Sequence, residues 1–155
     1  MISDNRKIYG RFIEQPIYAE KLFADLPLET RKKLLAIQKS ENIKEGETIS
    51  KIGSFPEFIY VLTEGKAQIS YNNELNHKNI SRLIEKEEFI GLTQLISGLP
   101  NEITITALTP CSLNVFQTQD FLYFLKNEPQ VCFSLFAQLS LDIESSYQIF
   151  SSMYF

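Results

Sequence analysis

Phe89-Ile90-Gly91-Leu92-Thr93-Gln94-Leu95-Ile96-Ser97-Gly98-Leu99-Pro100-Asn101-Glu102-Ile103-Thr104-Ile105-Thr106-Ala107 is the stretch on which the fold turns. Two glycines and a proline punctuate an apolar segment that ends in the alternating run Ile103–Ala107. Such alternation is the pattern of a half-buried β-strand.

Around this stretch, residues 40–116 are short runs of β-branched and aromatic residues broken by Gly, Pro and Asn. Candidate strands are Glu41–Lys44, Thr48–Ile52, Phe58–Thr63, Lys66–Tyr71, Asn79–Ile84, Ile103–Ala107 and Cys111–Phe116. Strands at this density point to a sandwich or barrel. Gly46 sits in the turn Lys44–Glu47, and Gly65 separates two strands where a tight reversal favours positive φ. The polar segment Asn72–Lys78 reads as a hairpin tip. The first 40 residues read as helical, with Leu26, Thr30, Leu34 and Ile37 at helical spacing and Pro27 suited to a first turn. Beyond Phe116, Gln119–Lys126 is a short helix. Pro129 then opens a run to Phe155 free of Gly and Pro. Within it Phe136, Ile143 and Phe150 lie seven apart, with Leu139 and Met153 at the other seam positions and Ser146 interrupting. That stripe predicts a long helix pairing with a second copy, in preference to packing on its own barrel.

The chain has 155 residues, enough for one domain with a sizeable core. Its apolar fraction of 44% and charged fraction of 22% are those of a soluble globular protein. No apolar run approaches the roughly 20 residues that span a bilayer, and the N-terminus lacks a signal peptide's apolar core. The two cysteines, Cys111 and Cys132, read as buried small hydrophobes in a reducing cytoplasm. A net charge of −4 argues against direct DNA binding by this chain, which would need a basic face. The densest basic cluster, Arg31-Lys32-Lys33, reads as a solvated helix face.

Together these motifs resemble the cyclic-nucleotide-binding domain of the Crp/Fnr superfamily across roughly residues 20–155. Leu22-Phe23-Ala24-Asp25-Leu26-Pro27 resembles the family's entrance motif L-F-x-x-L-P. Lys44–Ile49, Gly53 and Phe58–Ala67 resemble its G-x-x-I-x-x-x-G…Y-x-I-x-x-G-x-[VA] core. Phe89, Gly91, Leu95, Gly98, Pro100, Thr104 and Ala107 match its phosphate-binding cassette, F-G-E-x-x-L-x-x-G-x-P-R-[ST]-x-T-V-x-A. The resemblance implies a mainly β fold with flanking helices: an eight-stranded, jelly-roll-like β-roll (double-stranded β-helix). N-terminal helices would occupy 1–39, the roll 40–117 with its cassette at 89–107, and a C-terminal region with a long dimerisation helix 118–155. It also implies a ligand pocket at Gly91, Leu92, Thr93, Pro100, Asn101, Glu102 and Ile103. A homodimer would form through Phe136, Leu139, Ile143, Phe150 and Met153.

Carried over position by position, the family's ribose-binding glutamate becomes Leu92. Its phosphate-binding arginine becomes Asn101, the following Ser/Thr becomes Glu102, and a glycine before the cassette strand becomes Glu87. Each lost charge-assisted contact to a nucleotide is worth roughly 1.5–3 kcal/mol. Glu102 facing a phosphate at about 4 Å would add a repulsion of about 4 kcal/mol at an effective dielectric of about 20. The expectation is a stand-alone, dimeric regulatory module that does not bind cAMP or cGMP in the usual way. Its pocket is empty or adapted to another small ligand. The alternatives are a genuine cyclic-nucleotide sensor with an atypical cassette, the sensor fragment of a transcriptional regulator, or a module for a protein partner. The chain ends at Phe155 with no helix-turn-helix segment, which favours a stand-alone module. No cofactor, metal or enzymatic activity is expected. The single histidine, His77, lies in a predicted hairpin and supports neither a haem nor a catalytic triad. The acidic pair Glu87-Glu88 reads as a solvated loop.

Overall fold

A computed structural model of the chain describes residues 17–50, 57–73, 78–92, 95, 103–135 and 137–138. Helices α1 (Ala19–Leu22) and α2 (Leu28–Ile37) precede the strands. These are β1 (Gln38–Ile43), β2 (Thr48–Ser50), β3 (Phe58–Glu64), β4 (Ala67–Asn73), β5 (Lys78–Ile84), β6 (Phe89–Ile90), β7 (Ile103–Ala107) and β8 (Cys111–Gln117). Helix α3 (Thr118–Asn127) follows, and residues 129–135 resume helix.

The strands form two antiparallel four-stranded sheets, ordered β1-β8-β3-β6 and β2-β7-β4-β5, so the mainly β roll with flanking helices stands. Strand β7 has the bounds its alternation predicts. Strand β1 begins directly after α2, three residues ahead of expectation. It is an edge strand whose residues are mostly exposed, so it carries no alternating apolar signal. Its register against β8, from Gln38↔Phe116 to Ile43↔Cys111, is what makes it a strand. Pro27 stands one residue before the first turn of α2, as its N-cap, and its carbonyl accepts the Arg31 N–H at 2.9 Å.

Alternation along β3 and β8 splits the core between the two faces of the first sheet. Ile59, Val61 and Phe116 face the helices, where Leu22, Leu34, Phe121, Phe124, Val131 and Leu135 cover them. Leu62, Leu113 and Val115 face the roll interior with Ile69, Ile84, Ile90 and Ile105. Phe121 anchors the helix side, with ring centroids 5.4 Å from Phe116 and 6.0 Å from Phe89. Thr30 and Leu34 are buried on α2, as their spacing predicts. Cys111 lies in the roll-side cluster and Cys132 is half-buried. At the β3–β4 reversal Gly65 has φ +94°. A Cβ there would collide with the Pro110 carbonyl oxygen and lie 2.9 Å from Cys111 Cα and Sγ.

Residues 129–135 and 137–138 are helical, and the rest of the expected C-terminal helix lies outside the described residues. Its seam positions Phe136, Leu139, Ile143, Phe150 and Met153 lie outside the described residues, as does His77. Among the described residues, no helix is long and apolar enough to cross a membrane.

Candidate functional site

The cassette begins where β6 pairs with β3, with Ile90 opposite Tyr60 and Phe89 opposite Val61. Gly91 follows at φ +94°, and a Cβ there would touch the Phe58 carbonyl oxygen at 3.4 Å. The chain then turns into helix: Leu92 is helical, and the Leu95 N–H donates to the Gly91 carbonyl at 3.1 Å. Glycine is needed at this joint because an L side chain strains such a φ, while strand and helix must meet without an intervening loop.

Leu92, at the family's glutamate position, is only 3% exposed and packs in the helix-side cluster with Phe89 and Phe116. Its side chain therefore adds to the core beneath the helices rather than to the roll-side cluster. Ile103 opens β7 opposite Tyr71 of β4. Thr93, Pro100, Asn101 and Glu102 lie outside the described residues.

The turn between β5 and β6 is the most heavily fastened part of the region. Glu87 has φ +68°, so the position where the family has glycine keeps the glycine conformation with a side chain attached. Its N–H donates to the Leu62 carbonyl at 2.6 Å, and its carbonyl accepts from Ala19 at 2.8 Å. The Phe89 N–H donates to Ile17 at 2.9 Å, which ties the N-terminal segment to the cassette strand. A left-handed L residue costs about 1–2 kcal/mol, and the greater unfolded-state entropy of glycine takes back about 0.4–1 kcal/mol. Glu87→Gly is therefore expected to leave stability unchanged or raise it by up to about 1 kcal/mol, whereas Glu87→Val lowers it. Urea midpoints check this, and a clear loss in the glycine variant would contradict the strain argument.

Glu88 corrects the solvated-loop expectation: it is 1% exposed. Arg82 Nη1 donates to Glu88 Oε1 at 2.8 Å and Oε2 at 3.2 Å, and to the Leu83 carbonyl at 3.1 Å. Burial pushes the Glu88 carboxyl above the usual carboxylate range, against the hydrogen bond and charge of Arg82. Beside it the Tyr18 hydroxyl donates to Glu85. That bond, with burial next, pushes the phenol up to about 12. Sequence reading missed this group because Glu85–Glu88 looks like a run of surface charge. The usable signal was period two: Arg82 stands two residues before Ile84, and Glu88 two before Ile90.

A second polar group fixes the helices. The Glu128 carboxylate accepts from Thr30 Oγ1 at 3.0 Å, Lys33 Nζ at 2.8 Å and Gln130 Nε2 at 2.9 Å. The Lys33 bond is the main cause holding the Glu128 carboxyl below its ordinary range, and the same bond raises Lys33. Lys33 is thus more than a solvated charge on α2. A groove of about 400 Å³, lined in part by Phe23, Arg31, Gln38, Glu87 and Asn114, runs between α1, α2 and the helix-facing side of the first sheet. Among the described residues, no group of three His, Cys, Asp or Glu side chains could hold a metal ion.

The cyclic nucleotide-binding domain model matches residues 40–128, more than half of the chain, and the chain belongs to that family. Its fold is shared with the catabolite activator protein and with sensor domains of transcriptional regulators. The catabolite activator protein of Thermus thermophilus superposes with a TM-score of 0.71 at 19% identity, over 86% of this chain and 62% of that one. The N-terminal domain of a transcriptional regulator from Streptomyces coelicolor A3(2) gives 0.67 at 25% identity, over 83% and 91%. The sensor domain of the transcriptional regulator DNR from Pseudomonas aeruginosa gives 0.66 at 23%, over 78% and 86%. A cGMP-dependent protein kinase of Plasmodium berghei (strain Anka) is 35% identical over 74 residues, which are 46% of this chain and 8% of the kinase. The chain thus spans a small part of that kinase and under two thirds of the activator protein.

Proposed function

We propose that the chain is a non-enzymatic, dimeric regulatory module whose cassette does not hold cAMP or cGMP in the family's usual way. The observation that carries this reading is Leu92. At the position where the family places a ribose-binding carboxylate, this chain has a leucine that is 3% exposed in the helix-side core. Asn101 and Glu102, in place of Arg and Ser/Thr, point the same way. The dimer rests on the apolar spacing of Phe136, Leu139, Ile143, Phe150 and Met153, and the absence of direct DNA contact on the chain's net charge of −4.

Isothermal calorimetry with cAMP and cGMP tests the reading, and neither ligand is expected to give saturable heat at micromolar concentration. Micromolar binding of either would overturn it in favour of a nucleotide sensor with an atypical cassette. That second reading draws support from Gly91, whose φ of +94° and hydrogen bond from Leu95 open a helical turn at the start of the cassette. It predicts a ligand-dependent rise in melting temperature, equivalent to about 2.7 kcal/mol at about 100 times Kd.

A further inference from the structure

The Arg82–Glu88 pair sits where strand alternation directs both side chains toward the roll. Arg82 is two residues before Ile84 and opposite Ile69 in the β4–β5 register, and Glu88 is two before Ile90. Ile69, Ile84 and Ile90 all belong to the roll-side cluster. Among the described strands, β5 is the edge of its sheet, so Arg82 lies at a margin of the roll. The two partners are unequally buried: the Arg82 side chain is 21% exposed and that of Glu88 is 1%. The cation is thus reachable from solvent, while its counter-ion is sealed.

We propose that Arg82 is an oxyanion-binding group of the roll, and that Glu88 occupies it at rest in place of a ligand's carboxylate or phosphate. The proposal rests on reading the chain as a sensor module and names the chemical class its ligand carries. A guanidinium presents its N–H donors in a planar fork that matches carboxylate and phosphate oxygens alike. An arriving oxyanion takes over the Nη1 donor. Glu88 then takes a proton from solvent and stays buried as a neutral acid, which offsets one negative charge of the incoming anion. Burial already favours that protonated form. Among the described residues, the other ionisable groups around Glu88 are Glu85, which opposes its ionisation, and Tyr18, whose phenol stays neutral while bonded to Glu85.

Exchange at Arg82 also has a route outward. The Glu88 carbonyl accepts from Leu62 of β3 at 3.4 Å, and its neighbours Glu87 and Phe89 hold Ala19 and Ile17. A shift of Glu88 therefore acts on the cassette strand and the N-terminal segment together.

The test compares wild type, Glu88→Gln and the double variant Glu88→Gln/Arg82→Gln, which removes both charges of the pair. Sulfate, phosphate and acetate serve as probes, with chloride at matched ionic strength as the control. Affinity is read by thermal shift and by NMR of the arginine side-chain resonances. Glu88→Gln is expected to bind phosphate or sulfate, acetate, or both at least about tenfold more tightly than wild type. Which anion gains separates a phosphate-bearing ligand from a carboxylate-bearing one. The double variant is expected to lose the gain. No gain in Glu88→Gln, or a gain that persists in the double variant, overturns the proposal. Should Glu88→Gln fail to fold, wild type titrated with sulfate at successive pH values from about 7.5 down to about 4 decides, because sulfate keeps its charge while a carboxyl held above its ordinary range gains a proton over that fall. Tighter binding at the lower pH with a shifted Arg82 resonance supports the proposal, and pH-independent titration contradicts it. Wild-type calorimetry with cyclic nucleotides bears only on the sensor reading, so the two can fail separately.

Discussion

Gly65→Ala is expected to destabilise the protein by about 2–5 kcal/mol. Two costs combine there: about 1–2 kcal/mol for a left-handed L residue, and about 1–3 kcal/mol for forcing a new atom into packed surroundings. At Gly65 the obstacle is backbone: the added methyl meets the Pro110 carbonyl oxygen and stands 2.9 Å from Cys111 Cα. No rotamer change relieves that contact, so either the Pro110–Cys111 segment or the β3–β4 reversal must shift. Gly46 supplies the control, with φ +86° and nothing within 4 Å of the place an added methyl would take. Gly46→Ala should show the backbone strain alone. Urea unfolding of both variants measures the difference, and equal losses would show that the close approach to Pro110 contributes nothing.

The second large effect is expected at Arg82. Replacing it with leucine leaves Glu88, 1% exposed, without its bonded cation, and breaking a buried pair from one side costs about 3–5 kcal/mol. The loss should depend on pH in a fixed direction. Burial raises the Glu88 carboxyl even with Arg82 present, and without that guanidinium the folded-state value rises further. A carboxyl that titrates higher in the folded than in the unfolded state binds more protons when folded. Its unfavourable contribution is therefore complete above the folded-state value and fades as pH falls toward the ordinary carboxylate range. The gap between wild type and Arg82→Leu should be widest near neutrality and narrow on acidification. A gap of equal size across that range would mean that Glu88 is not the group left unpaired.

The strands were legible wherever one face of the sequence alternates against the other, as in Ile103–Ala107 and Cys111–Phe116. They were legible only in part, or not at all, where pairing makes the strand: Glu41–Lys44 was read as a strand, but not its start at Gln38. Gln38–Ile43 is mostly polar and exists as β1 because β8 offers it a register, and Phe89–Ile90 is too short to show a period. The site divides in the same way. Gly91 was readable as a required glycine, since its type follows from its backbone. Leu92 was readable as a missing carboxylate, yet the face it occupies depends on how the strand–helix joint turns, which no local pattern encodes. Glu88 was misread because a run of four charged residues, Glu85–Glu88, hides an alternation visible only once Ile84 and Ile90 are known to point inward. Glu128 was passed over because its partners Thr30 and Lys33 are almost a hundred residues distant in the chain.

Glu128 does more than join two helices, because it sets the rotational phase of the second. Its side chain is fastened to α2, while its backbone carbonyl accepts from Val131 at 3.0 Å and Cys132 at 3.1 Å, so the new helix starts from a fixed origin. Each residue of an α-helix turns its successor by about 100°. Val131 and Leu135 face the core, while Phe133 is 74% exposed, because they are counted from that origin. Inserting one residue after Glu128 would keep its bonds to Thr30 and Lys33, displace Gln130, and rotate Val131–Leu135 by more than a quarter turn. The outward aim of Phe133 is thus set by a carboxylate five residues before it in the chain.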